Sequence, residues 1–503
     1  MSVVRQRIFR NAYRDSVELM RIASEIERLP GVDRAGLVMA TPANLAILIE
    51  AGLAEGLDPG AGPNDLVVAV AADADAAQHA MERAAELMRS VAAEAPGAED
   101  RVAAATIAEG VSELSEPNLA LISTPGTYAS AEALKALKRG MHVFLFSDNV
   151  PIEDEVELKA LGLRKGLLVM GPDCGTAILD GVPLGFANAV RRGNVGLIGA
   201  SGTGLQQVTC LLDALGAGVS QAIGVGGRDL HQEVGGAMML AALDRLVADP
   251  GTAVVVLISK PPAPEVATRI LDAAARAPKP VVINFLGGDP DAIRSAGSHP
   301  AATFEEAALL AARLAGIDAA LPAEGAAGDS ASAAAEGLVP GQTSIVGLFS
   351  GGSLAGEAKV VLGGMDAGLG PHTIIDLGDD EYTVGRPHPM IDPRLRSEKI
   401  EAVGADPTAA VILLDIVLGY ASHPDPAGAL IPALAAARAA KAKAGRGLAV
   451  VASVCGTEAD PQGLTRQRAT LADAGVLVAT SNARAAQLAG EIARRASLVE
   501  VPR

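Results

Sequence analysis

The sequence lacks tryptophan and has few other aromatic residues. Aromatic side chains make up 2% of the 503 residues, although half of the residues are hydrophobic. Any core must therefore consist mainly of Ala, Val, Leu and Ile, which favours helices packed on β-branched strands. The chain is too long for one ordinary domain and predicts about three or four compact units.

Cysteine is also scarce. Cys174, Cys210 and Cys455 lie far apart and have no paired-ligand spacing, which excludes a disulfide framework and a cysteine zinc site. The seven histidines are scattered, and none stands in a HExxH motif. We therefore predict reduced thiols and no metal site built from these residues.

Long apolar runs and excess positive charge are absent as well. No run approaches the roughly 20 residues that span a bilayer, and the arginine-bearing N-terminus has no apolar segment followed by a cleavage site. The formal net charge of -18 repels nucleic acid and anionic lipid. These features predict a cytoplasmic protein with neither nucleic acid nor a membrane as partner.

Short apolar runs alternate with helix-length intervals, which predicts α/β units with parallel, helix-covered sheets. The predicted domains are 1–170, 171–318 and 342–503, and an Ala/Gly-rich tract at 319–341 is typical of a flexible linker. The second and third domains could be diverged copies or could have converged on one fold. The predicted strands are 36–40, 65–71, 119–123 and 142–147, then 194–199, 221–225, 253–259 and 280–285, then 343–349, 410–416, 448–453 and 476–480.

The clearest motif is GASGTG at 199–204, between the strand VGLIG and the helical stretch LQQVTCLLDAL. Its glycines permit a close approach to a ligand, and the start of a helix favours negative charge. It is neither a Walker A loop nor a GxGxxG motif, and a plain strand-to-helix turn is the alternative. A similar turn, GLFSGGSLAG, begins the third domain. The predicted phosphate-binding residues here are Ser201, Gly202, Thr203 and Gly204, with Gly351 and Gly352 in the later turn.

Two further strands of the second domain end in candidate anion ligands. One is followed by Gly226, Gly227 and Arg228, and the next by Lys260 and two prolines. Because ligands bind outside the carboxyl ends of strands in open α/β sheets, we predict that Arg228 and Lys260 bind an oxyanion. The alternatives are a salt bridge between Arg228 and an acid of its own loop, and a solvated lysine.

Two polar segments complete the candidates. The turn containing Pro172, Asp173 and Cys174 joins the first two domains, and its cysteine could be a nucleophile. The stretch 376–392 is rich in ionisable groups among Gly and Pro, so it could hold Mg²⁺, bind an anionic substrate or transfer a proton; a solvated interdomain loop is the alternative. The candidates in that stretch are Asp379, Asp380, Arg386 and His388.

Several segments spread over nearly the whole chain resemble the FdrA family, which is similar to the α subunit of succinyl-CoA synthetase. They are NAYRDSVELM, TPANLAIL, FSDNVPIEDEVELK, KGLLVMGPDCGTAI, GLIGASGTGLQQV, GVGGRDL, LISKPP, LGDDEYTVGRPHPMIDP and GTEADPQG. The resemblance implies a Rossmann-like, CoA-binding-type N-terminal domain followed by two flavodoxin-like, succinyl-CoA-synthetase-type domains.

The synthetase's GPNC segment corresponds to Gly171, Pro172, Asp173 and Cys174, and the resemblance implies that these residues contribute to phosphate or substrate binding. The chain departs from the synthetase pattern at three places. It has no clear Gly-rich CoA loop near the N-terminus, and the Gly-His-Ala-Gly loop is missing, with only His299 nearby. The glutamate that supports the synthetase's phosphohistidine corresponds to Lys260. No ATP-grasp domain is recognisable, so partner subunits would have to complete any ligase.

The FdrA resemblance implies a subunit that transfers a carbamoyl group between carbamoyl phosphate and a small acid such as oxamate in purine catabolism. In that hypothesis Lys260, Arg228 and His388 are catalytic. The alternative is an acyl-CoA synthetase subunit that uses CoA and nucleotide, and a third hypothesis is a noncatalytic scaffold or regulator. All three predict other protein subunits as partners.

Overall fold

The computed structural model describes residues 2–10, 12, 14, 16–54, 60–63, 65–90, 104–318, 320–321, 327–365, 372–383 and 387–497. The chain forms two compact units, one of Met1–Ala104 with Asp380–Asp392 and a larger one of Ala105–Asp379 with Pro393–Arg503. Across the described ranges, no helix combines the length and the apolar character that a membrane crossing requires.

The smaller unit contains a three-stranded antiparallel sheet in the order β1-β3-β2. One face of this sheet packs on two helices through a core that includes Leu19, Ile26 and Val68. Leu48 and Leu53 belong to a second, smaller cluster with Val67. The elements are β1 (Ser2–Phe9), α1 (Ser16–Glu27), β2 (Val32–Met39), α2 (Pro42–Glu50), β3 (Leu66–Asp73) and α3 (Ala74–Ser90).

The parallel pairing predicted for the strands at 36–40 and 65–71 is wrong. β1 and β2 run in the same direction, and β3 fills the slot between them antiparallel to both. The alternation of strands and helices along a sequence does not indicate that a later strand lies between two earlier ones in the opposite direction. β1 itself was missed because its exposed Arg5 and Arg7 interrupt the apolar pattern of this edge strand.

The larger unit begins with a three-stranded parallel sheet in the order β4-β5-β6. Its side chains share one hydrophobic core with the strands and helices that follow, since Phe144 and Val169 belong to the same cluster as Ile198 and Leu257. The expected boundary at 170/171 therefore does not separate two cores. The elements are α4 (Ile107–Glu113), β4 (Leu119–Ile122), α5 (Gly126–Lys138), β5 (His142–Leu145), α6 (Ile152–Lys165) and β6 (Val169–Met170).

A seven-stranded sheet follows in the order β13-β12-β11-β9-β10-β7-β8. Five strands are parallel, and β7 and β8 form an antiparallel hairpin at one edge. β9 lies between β10 and β11, so the chain changes direction there and opens a crevice at the carboxyl ends of these three strands. The elements are β7 (Thr176–Leu179), β8 (Val182–Gly185), β9 (Arg192–Gly199), α7 (Gly202–Ala214), β10 (Val219–Gly224), α8 (Ala237–Ala248), β11 (Val254–Ser259), α9 (Pro264–Ala275), β12 (Val281–Phe285), α10 (Pro290–Ser295), β13 (His299–Pro300) and α11 (Phe304–Leu314).

The tract predicted as a flexible linker at 319–341 contains a helix, α12 (Ala327–Ala335). Ala331, Ala335 and Leu338 are buried, and alanine is the strongest helix former. The expectation of a flexible linker is therefore wrong over 327–341, whereas 319 and 322–326 lie outside the described residues.

The last part of the larger unit is a five-stranded parallel sheet in the order β15-β14-β16-β17-β18. The prediction of an α/β fold with parallel sheets is confirmed, and each of the twelve predicted strand segments overlaps an observed strand. The elements are β14 (Ser344–Phe349), α13 (Gly352–Gly363), β15 (Thr373–Asp376), then α14 (Asp380–Thr383), which is part of the smaller unit, α15 (Arg394–Val403), β16 (Ala409–Val417), a 3-10 turn (Gly428–Leu430), α16 (Ile431–Lys443), β17 (Ala449–Cys455), α17 (Leu464–Asp473), β18 (Leu477–Ala479) and α18 (Asn482–Ser497).

Candidate functional site

The predicted glycine turn at 199–204 is a capped helix start. Ser201 is the N-cap of α7, and its hydroxyl accepts a hydrogen bond from Gly204 N at 3.2 Å. A Cβ on Gly204 would collide with that hydroxyl and touch Ile258 Cγ2. The first helical amides, those of Gly202 and Thr203, have no carbonyl of α7 to bond to. This end of the helix can therefore donate to an anion.

The start of α13 meets the start of α7. Ser201 Oγ donates to Ser353 Oγ at 2.6 Å, and both side chains are buried. A Cβ on Gly351 would lie 2.7 Å from Thr203 Cγ2, so glycine is needed for this approach. The two similar turns recognised in the sequence thus lie against each other, with the positive ends of two helix dipoles close together.

Carboxylates of the chain itself already occupy part of the second turn. Asp415 accepts hydrogen bonds from Ser350 N and Gly351 N, each at 2.8 Å, and forms an ion pair with Arg396 at 2.7 Å. The side chains of Ser350, Arg396 and Asp415 are all buried. Because the amide of Gly351 already donates to Asp415, the start of α13 has fewer amides for an external anion than the start of α7.

Asp376 lies beside Gly352. A Cβ on that glycine would collide with the Asp376 carboxylate. Burial raises the pKa of Asp376, while its hydrogen bond from Gly378 N and the positive charge of Lys260 oppose the rise. Lys260, at the end of β11, is therefore close enough to Asp376 to act on it electrostatically. The ends of the two sheets meet at this position.

Lys260 also lines a pocket of about 360 Å³ at the crevice of the seven-stranded sheet. Its side chain is exposed, and within the described part of the chain its ammonium group makes neither a hydrogen bond nor an ion pair. The pocket is thus equipped with a cation that can bind an anionic ligand. Its lining residues are Gly227, Leu230, His231, Gln232, Glu233, Ser259, Lys260, Pro261, Pro262 and Ala263.

The second predicted cation, Arg228, is already paired. Its guanidinium lies 2.9 Å from the Glu155 carboxylate and donates to Val150 O at 2.7 Å. A salt bridge was the alternative for this residue, but the partner lies on α6 rather than in the loop of Arg228. The arginine thus ties the loop after β10 to α6.

The turn at 172–174 packs against the glycine turn after β10. A Cβ on Gly226 would collide with Pro172 O, and one on Gly227 would lie 3.7 Å from Asp173 Oδ2. Cys174 is buried in the core, and burial raises the pKa of its thiol to about 12. A thiol with such a pKa is not ionised at neutral pH, which argues against the nucleophile hypothesis.

The polar stretch 376–392 is divided between the two units. Asp379 is an exposed residue of the larger unit, whereas Asp380 and His388 belong to the smaller one. Arg386 lies outside the described residues. Burial lowers the pKa of His388 to about 4, and its Nδ1 accepts a hydrogen bond from Met390 N at 3.2 Å. The imidazole is therefore neutral at pH 7.

Ser353 and Asp415 lie at this site but were not predicted from the sequence. Ser353 belongs to the GLFSGGSLAG segment and lies in the first turn of α13. The backbone amides of a first helical turn have no carbonyl partner within the helix. Asp415 is a lone carboxylate within the apolar strand AAVILLDIV, and a buried charge in such a strand needs partners. Both signals are present in the sequence, but only the packing shows which groups they meet.

Three family models match the chain. A CoA-ligase model matches 348–492, a CoA binding domain model matches 190–287, and a model described as AllF, heavy metal-associated domain, matches 1–104. The first two matched regions contain the two helix starts, and the second also contains Lys260. The third corresponds to most of the smaller unit.

Two curated proteins and one solved structure are similar to the chain. It is 41% identical over 500 residues to the uncharacterized protein YahF of Escherichia coli strain K12, an alignment covering 96% of this chain and 97% of YahF. It is 29% identical over 155 residues to the α subunit of ADP-forming succinate–CoA ligase from Methanothermobacter thermautotrophicus, covering 30% of this chain and 52% of that subunit. A structure of acetyl-coenzyme A synthetase 1 from Ca. Korarchaeum cryptofilum, in complex with phosphate and ADP, is 17% identical with a TM-score of 0.32 over 80% of this chain and 88% of that chain.

The residues of the smaller unit do not fit a heavy metal. The sequence has no cysteine in 1–104, and no group of three or more His, Cys, Asp or Glu side chains capable of holding a metal ion occurs among the residues that the structure describes. Soft metals are bound chiefly by thiolate and thioether ligands, and the thioethers of Met39, Met81 and Met88 are packed in the hydrophobic core of this unit. We therefore assign no metal chemistry to this unit.

Proposed function

This chain belongs to the FdrA-like family of proteins related to acyl-CoA synthetases and the succinyl-CoA ligase α subunit, and on that premise we propose that it is the acyl-phosphate-binding subunit of a CoA-ligase-type enzyme. The pocket beside Lys260 would hold a small acid activated as its acyl phosphate. The start of α7 would bind the phosphoryl group. Other subunits would supply the nucleotide-binding part.

One observation carries this proposal: among the residues that the structure describes, Lys260 is a cation without a hydrogen bond or ion pair, and it lines a pocket at the sheet edge where the amides of Gly202 and Thr203 begin α7. A volume of about 360 Å³ lies within the usual range for small-molecule sites. The region containing these residues matches the CoA binding domain model. The relatives named above support this hypothesis better than carbamoyl transfer.

The proposed reaction is transfer of an acyl group from phosphate to the CoA thiol. The sulfur forms a bond to the carbonyl carbon, the bond from that carbon to the phosphate oxygen breaks, and the thiol proton ends on the phosphate product. Negative charge grows on the leaving phosphate, and Lys260 with the α7 amides would stabilise it there.

Carbamoyl transfer remains a second candidate because of one feature. The segment 286–298 contains no histidine, and His299 stands on β13, the edge strand of the seven-stranded sheet. This segment therefore has no histidine that could be phosphorylated. The phosphoryl donor would then bind as a preformed acyl phosphate. Carbamoyl phosphate is such a compound, with an amide nitrogen of the acceptor replacing the thiol as nucleophile.

Calorimetric titration of the purified chain with acetyl phosphate, phosphate, carbamoyl phosphate and CoA tests the proposal. Lys260→Ala should weaken phosphate binding about tenfold or more, because a hydrogen bond to a charged group contributes roughly 1.5–3 kcal/mol. Lys443→Ala, which changes an exposed lysine at the end of α16, is the matched control. Unchanged phosphate affinity in Lys260→Ala would refute the role of the lysine.

The two candidate reactions are separated by a second measurement on the complex with its co-purifying subunits. Formation of a thioester from acyl phosphate and CoA supports the ligase hypothesis. Consumption of carbamoyl phosphate without CoA, with a small acid amide as acceptor, supports carbamoyl transfer. Neither reaction, together with no anion binding, would favour the noncatalytic scaffold.

A further inference from the structure

Three buried charges and a partly exposed arginine form a chain of ion pairs that includes residues of the loop after β10. Lys159 Nζ is 2.7 Å from Glu155 Oε1 and 2.8 Å from Asp229 Oδ1, and all three side chains are at most 1% exposed. Arg228 extends the series with its 2.9 Å ion pair to the second Glu155 oxygen. The charges thus alternate in sign as Arg228, Glu155, Lys159 and Asp229.

This network holds both ends of the loop. At the first end, Lys159 donates to Val225 O at 3.0 Å. At the second end, Asp229 accepts from Met238 N at 3.1 Å and Met239 N at 2.9 Å, amides at the start of α8. The N-cap residue of that helix is Gly236, which has no side chain to accept these bonds. Asp229 therefore caps α8 from within the loop.

The loop fixed in this way forms one wall of the pocket, since Gly227, His231 and Glu233 line it. Lys260 also lines this pocket. Glu155 and Lys159 come from α6. The motifs FSDNVPIEDEVELK and GVGGRDL, far apart in sequence, meet in this network.

We propose that Glu155, Lys159 and Asp229 are positioning residues that set the conformation of the 225–238 loop and thereby the geometry of the anion pocket. Burial of ion pairs costs desolvation energy and is a weak source of stability. Such a network is better suited to fix one loop conformation, and a small displacement of binding groups has a large effect on a reaction. The consequence for ligand binding rests on the proposed function, whereas the conformation of the loop does not.

The first test compares hydrogen exchange in the full-length wild type and in Asp229→Asn, which keeps the side-chain shape and removes one charge. Exchange should rise at least about tenfold at Met238 and Met239 and across the loop, while β16 and β17 stay unchanged. The matched control is Lys135→Met, which breaks an exposed pair with Glu132 at 2.6 Å on α5. Unchanged exchange in the loop would overturn the proposal, with or without ligand binding.

The second test titrates the same proteins with inorganic phosphate. Asp229→Asn should raise the dissociation constant on the order of tenfold, and Lys135→Met should leave it unchanged. A mobile loop with unchanged phosphate affinity would overturn the positioning role. If the wild type itself binds no phosphate, the proposed function fails and the exchange data alone decide about the loop. Glu155→Gln gives the same readouts should Asp229→Asn not fold.

Discussion

Glu357 provides a pH-dependent test of how the helices of the larger unit are joined. This glutamate of α13 is buried, and its carboxylate accepts hydrogen bonds from Phe304 N at 2.6 Å and from Asn482 Nδ2 at 2.8 Å. It thereby links α13 to the start of α11 and to the start of α18. Burial raises its pKa to about 7, although the two hydrogen bonds oppose the rise.

The sign of the effect follows from the order of the two pKa values. The folded pKa of about 7 lies above the reference value of 4.5, so the folded state binds the proton more tightly than the unfolded state. The free energy of unfolding therefore decreases as pH rises through this window. A difference of about 2.5 pKa units corresponds to about 3 kcal/mol in total, of which about 2 to 3 kcal/mol falls between pH 5 and 8.

The assay is urea unfolding followed by circular dichroism at several pH values for wild type, Glu357→Gln and the exposed control Glu336→Gln. Glutamine cannot ionise, so Glu357→Gln should gain about 2 to 3 kcal/mol relative to wild type between pH 5 and 8. Any cost of placing the amide beside Phe304 N is the same at every pH and cancels in this difference. If the curves of wild type and Glu357→Gln run parallel, the assignment of a buried, protonated Glu357 is wrong.

Three shorter predictions follow from other buried groups. Cys174 should not react with a thiol reagent at pH 8 in the folded protein and should react after denaturation, because burial raises its pKa to about 12. Arg396→Met should lower the free energy of unfolding by about 3–5 kcal/mol, since it leaves Asp415 charged and buried without its cation; urea unfolding measures this. The imidazole signals of His388 should not shift between pH 5.5 and 8 in NMR spectra, because burial lowers its pKa to about 4.

Local patterns predicted the regular elements well. Every predicted strand was found because apolar runs of four to eight residues bounded by turns report burial within a sheet directly. The strand-to-helix turn at Ser201 was recognisable because its residues satisfy helix-start chemistry by themselves. The failures include strands that were not predicted, such as β1, and the direction of the sheet in the smaller unit. The helix at 327–335 was also not predicted, although its alanines favour helix, because the tract looks like a linker.

The candidate site shows the same division. The sequence by itself determined the α/β fold, the family, and the candidate groups at strand ends, since these depend on short segments and on the order of motifs. Only the tertiary structure decided which groups meet: Ser201 with Ser353, 152 residues away in the chain, and Arg228 with Glu155 of α6. The physical reason is that contacts between distant segments depend on how sheets and helices pack in three dimensions, and one residue's own chemistry does not specify its partner.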